Sequence, residues 1–142
     1  MRRLTIVTLL TLAAMPLAGA TPPSFSDAIA DATQRTAEVR NGFIGISTLE
    51  VWHKAVKLES VERVDADVIM RLEALTPTAV HARCHADALD GARRAAAAMK
   101  DMLRLYRQGE HAEAFAARVT AAARNADNGL GALESALGAC AK

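Results

Sequence analysis

His81, Cys84 and His85 are the residues whose types and spacing come nearest to a reactive site. Two His four apart share one face of a helix, a spacing that zinc sites use, and the Cys between them offers a thiolate. At 100° per residue His81 falls inside the apolar stripe of its helix and His85 on the flank of that stripe. Both then point to one end of the fold, where Asp27, Asp31, Glu73 or Glu134 would complete a ligand set. A closed zinc site takes four ligands, and Cys84 cannot act as a thiolate while joined to Cys140, so a disulfide and a metal-thiolate site exclude one another. His81 and His85 are retained as the residues that would hold a metal. The alternative is that they pack beside a disulfide. His53 does not extend the set, because it is placed about 28 Å from His81 at helical rise and is expected to pack beside Trp52. His111 is expected in a solvated turn.

Other chemistry is sparse. Asn41 to Ser47, NGFIGIS, sets Phe43, Ile44 and Ile46 around two Gly in a connection that would ordinarily be polar. These three side chains either plug the open end of the core or form an exposed docking loop for a partner. Lys54, Lys57, Glu59, Arg63 and Asp65 would suit a small anionic-substrate pocket of the kind secreted all-helical mutases have, but their pairing four residues apart reads as a solvated face. No Ser-His-Asp pattern, phosphate loop or pair of inward carboxylates emerges, so neither an enzyme nor a cofactor is expected.

The elements that must position these residues follow from the length and composition. Of 142 residues, Met1 to Ala20 has the plan of an export signal: Arg2 and Arg3, an uncharged apolar run from Leu4 to Met15, and Ala18-Gly19-Ala20 for cleavage. Residues 21–142 are the expected single domain, exported to the periplasm or beyond, with no membrane anchor after cleavage. Hydrophobic residues make up 51% of the chain, but 28 of the 122 residues after the signal are Ala and only 30 are large apolar side chains. With Arg2 and Arg3 removed, 15 cations face 16 acids. That balance argues against a nucleic-acid or anionic-membrane binder.

Much Ala and little Gly or Pro read as all-helical. The expected helices run over residues 24–41, 47–75, 77–108 and 110–139. Ser24 with Asp27, and Ser47 with Glu50, have capping spacing; Thr76 with Pro77 would open the third helix. The expected inner stripes are Phe25, Ile29, Ala32, Thr36, Val39 in the first helix and Leu49, Trp52, Val56, Ser60, Val64, Val68, Leu72, Leu75 in the second. They are Cys84, Ala88, Gly91, Ala95, Met99, Met102, Tyr106 in the third, and Phe115, Val119, Ala122, Ala126, Leu130, Leu133, Leu137, Cys140 in the fourth.

Short connections then predict an up-down-up-down antiparallel four-helix bundle. Folding the last two helices back around Gly109 sets Cys84 opposite Leu137, one turn from Cys140. A Cys84–Cys140 disulfide is therefore expected in an oxidising compartment. The same register sets Gly91 and Ala95 against Ala126, Gly129 and Leu130, a seam too tight for a planar cofactor. In size and topology such a bundle resembles the soluble b-type and c-type haem cytochromes of the periplasm, though no CxxCH is present for covalent attachment. The expected function is binding, with another protein as partner, in the manner of an inhibitor, immunity or adaptor factor. A metal or haem carrier using the His81 and His85 end is the second expectation, and a small secreted all-helical enzyme the third.

Overall fold

A computed structural model describes residues 22–109 and 114–142. Segment 1–20, expected to be an export signal, lies outside them, together with Glu110, His111 and Glu113. Among the described residues the secondary structure is helical: α1 (Phe25–Ile44), a 3-10 turn (Gly45–Thr48), α2 (Val51–Glu73), α3 (Ala82–Gln108) and α4 (Phe115–Cys140). No helix among them is long and apolar enough to cross a membrane.

α1 begins as its cap dictates. The Asp27 amide donates to Ser24 Oγ at 3.1 Å, and the same hydroxyl donates to the Asp27 carboxylate at 2.6 Å, satisfying an amide that the first turn leaves unpaired. The helix does not stop at Asn41-Gly42. Gly42 is there for packing: a Cβ on it would stand 2.7 Å from Val61 Cγ2.

The expected Ser47 cap is also replaced. Ser47 Oγ bonds back to the Ile44 carbonyl at 3.1 Å and Thr48 Oγ1 to the Gly45 carbonyl at 3.0 Å, which holds the 3-10 turn and moves the start of α2 to Val51. Local side-chain bonds of this kind compete with a helix start. From there α2 continues without a break through Ser60.

Thr76 and Pro77 do not open α3. The His81 amide instead closes a turn onto the Thr78 carbonyl at 3.0 Å, and α3 starts at Ala82. At its far end Gly109 adopts φ 86°, a conformation that costs a residue without Cβ little.

α1 packs on α2 and α4, and α3 packs on α2 and α4. The α3–α4 contact is the tightest. A Cβ built on Gly91 would lie 2.6 Å from the Leu133 nitrogen, and one on Gly129 would lie 2.6 Å from the Ala95 nitrogen. Backbone meets backbone here because neither position carries a side chain. Cys84 and Cys140 are joined directly, with Cα atoms 5.5 Å apart, three residues further along α4 than the expected facing position Leu137. The facing register of α3 and α4 is therefore shifted by nearly one turn from the expected one.

The core falls into two apolar clusters. One holds Val39, Ile46, Leu58, Val61, Met99, Met102 and Leu130. The other holds Ile29, Val68, Leu72, Leu133, Leu137 and Cys140. Between them, along α1 and α2, stand Thr36 and Asp65, both fully buried and polar.

Candidate functional site

At the disulfide end the two His are brought together around Phe25. The His81 ring stacks on it at 4.5 Å between centroids and the His85 ring lies tilted at 6.5 Å. His81 Nδ1 shares a hydrogen with Thr78 Oγ1 at 2.8 Å. His85 is buried, and its Nε2 lies 2.7 Å from the Leu72 carbonyl; since that oxygen can only accept, Nε2 carries the proton and donates.

The acids expected to complete a ligand set are engaged elsewhere. Asp27 holds Ser24, Asp31 holds Arg35 and Arg71, Glu73 holds Arg93, and Glu134 holds Arg40. Among the described residues no group of three or more His, Cys, Asp and Glu side chains converges on a common point. A cleft of about 690 Å³ opens on this side between Pro22, Phe25, Asp31, Arg71 and Leu75. Its Asp31 and Arg71 are paired with each other, and Asp27, which also lines it, accepts from Ser24.

Asp65 is the residue that the sequence pattern misplaced. Expected on a solvated face, it has no solvent exposure, and neither carboxylate oxygen has a hydrogen-bond partner. The inward face of α2 is Leu58, Val61, Asp65, Val68 and Leu72, steps of three and four without a gap, whereas Val56, expected inside, is 64% exposed and Ser60 faces solvent. Burial raises the Asp65 pKa to about 7; the neighbouring Glu62 carboxylate adds to the shift and Lys100 on α3 opposes it. The signal that would have found it is the unbroken apolar spacing on both sides of the carboxylate. His53 is exposed, and its expected contact with Trp52 lies outside the described side chains.

The opposite end carries a groove of about 550 Å³. Phe43, Ile44 and Ile46 form one side, Met102 and Tyr106 of α3 the floor, and Val119 and Ala123 of α4 the other side, with Lys54 and Arg124 at its charged margin. The three expected loop residues divide between the two expected roles. Ile46 is 3% exposed and plugs the core; Phe43 packs partly buried against the same cluster; Ile44 is 62% exposed. Tyr106 stacks edge-on to Phe115 at 6.1 Å, and burial raises its phenol above the ordinary value.

Comparison of the chain with protein-family models, with curated proteins and with solved structures finds no match.

Proposed function

We propose that the protein is exported, loses residues 1–20, and folds as an up-down-up-down four-helix bundle that acts by binding another protein, as an inhibitor, immunity or adaptor factor does. The observation that carries this reading is the groove between Ile44 and Tyr106, an apolar concavity of about 550 Å³ with a large aliphatic side chain held out at its rim. An exposed apolar side chain beside a concave apolar floor is the arrangement that interface anchors use. The NGFIGIS connection supports it from the sequence side, because its apolar residues exceed what closing the core requires.

A photo-crosslinking residue at position 44, compared with one at Val80 in the turn at the other end (86% exposed), tests the reading in the periplasm. A discrete protein adduct from position 44 and none from position 80 is the expected result. Equal, diffuse labelling from both positions would remove the groove as the binding site. Ile44→Asp is the companion variant: it should abolish capture by an affinity tag while changing fold stability by less than about 0.5 kcal/mol, as exposed substitutions do. Phe43→Asp is a poorer probe because Phe43 packs on the core.

A further inference from the structure

Ion pairing is unevenly distributed over this molecule. Arg35, Arg40, Arg71, Arg83, Arg93, Arg94, Lys100, Arg104 and Arg107 each lie within 4.0 Å of a carboxylate oxygen. Among the described residues the cations without such a partner, Lys142 aside, are Lys54 and Lys57 in the first half of α2, Arg63 just past its middle, and Arg118 and Arg124 in the first half of α4. Both half-helices belong to the end that carries the groove, and Lys54 and Arg124 line it. The one carboxylate lining the groove, Asp127, is bound to Arg40. Lys54 and Arg124 are therefore the two lining cations without a carboxylate partner among the described residues.

We infer that the occupant of the groove is an acidic amphipathic segment of a partner protein, whose apolar side chains meet Ile44, Phe43 and Tyr106 and whose carboxylates meet Lys54 and Arg124. The inference rests on the protein-binding reading above and narrows it. Two cations without a carboxylate partner at the margin of an apolar floor favour the encounter with anionic segments over cationic ones. An amphipathic helix presents the required alternation, anchors at steps of three and four on one face and charge on its flanks.

The test uses two labelled helical peptides of about 14 residues with identical Leu anchors, one with Glu and one with Lys at the flanking positions. Their affinities for the mature, oxidised protein are read by fluorescence anisotropy at low and at about 0.3 M salt. The Glu peptide should bind at least ~10-fold more tightly than the Lys peptide at low salt and lose most of that advantage at high salt. The double variant Lys54→Glu/Arg124→Glu, both exposed enough to leave the fold intact by circular dichroism, should reverse the preference. Ile44→Asp should weaken both peptides.

Equal binding of the two peptides, or a Glu-peptide preference unchanged in the double variant, overturns the acidic partner and leaves the protein-binding reading standing. No binding of either peptide, with a discrete adduct still formed from position 44, does the same. No binding and no adduct overturns both. A concentration-dependent dimer that Ile44→Asp dissolves would give the groove to a second copy of this chain and overturn the inference.

Discussion

The α3–α4 seam and the inward face of α2 follow opposite plans within one core. In the seam, Gly91 and Gly129 remove side chains altogether, so the two backbones touch and no polar side chain is stranded between them. On α2 the corresponding middle position is a carboxylate, closed off from water and unpartnered. Close approach lets main chain and Ala methyls fill space at high density, whereas a charge in the same setting is costly unless neutralised. One contact is built to be stiff, and the other contains a group whose ionisation works against the fold.

Removing the staple breaks the comparison most strongly. Cys84→Ala/Cys140→Ala releases a bridge across 56 positions of sequence and should cost about 4 kcal/mol in the chain-entropy model, read as a lower urea midpoint with a steeper slope, because the uncrosslinked denatured chain is less compact. The seam would then depend on packing alone.

Asp65 sharpens the contrast almost as much, with a definite sign. Its folded-state pKa of about 7 stands above the ordinary 3.8, so the unfolded chain releases this proton at lower pH than the folded one. Stability from this group is fully present below about pH 4, falls as pH rises to about 7, and stays low above it. The integrated loss is about 4 kcal/mol. Asp65→Asn should flatten that part of the pH profile and raise stability at pH 8 by a similar order, measured by urea unfolding from pH 4 to 8. A wild-type profile flat over that window would mean that the carboxylate is better accommodated than its burial indicates.

The smallest expected effects lie in the glycines. Gly129→Ala or Gly91→Ala drives a methyl into backbone and should cost about 2 to 3 kcal/mol. Gly42→Ala meets a Val61 side-chain methyl and no backbone and should cost about 1 kcal/mol or less, since the higher helix propensity of Ala offsets part of the displacement. Equal costs at the three positions would remove the distinction between a backbone seam and ordinary side-chain packing.

The difference between these regions also decided what the sequence disclosed. In α3 and α4 the buried positions Ala88, Gly91, Ala95, Met99 and Met102, and Ala126, Leu130, Leu133, Leu137 and Cys140, carry the helical period openly, and the Cys pair lies on it. The α1 stripe through Ile29, Ala32, Thr36 and Val39 was equally legible. In α2 the period passes through Asp65, and assigning every carboxylate to solvent turns the N-terminal half of the stripe toward Val56 and Ser60. The connections were least legible, because Ser47 bonds back to Ile44 instead of capping α2 and the turn that His81 closes on Thr78 displaces the start expected at Thr76 and Pro77, and such choices depend on contacts that spacing alone does not encode. At the groove, the unusual loop composition was visible, but its division into a plug at Ile46 and a projecting Ile44 was not. Nor was the position of Lys54 and Arg124 at its margin, without a carboxylate partner among the described residues.

The polar layer of Thr36 and Asp65 separates the cluster that holds the disulfide from the cluster that underlies the groove. Openings that begin at the groove end therefore meet a natural stopping point before they reach the cross-link. Amide exchange should be faster around Phe43 and Val119 than around Leu72 and Leu137. The chain is thereby divided into an anchored half that preserves the architecture and a looser half free to mould itself to whatever arrives.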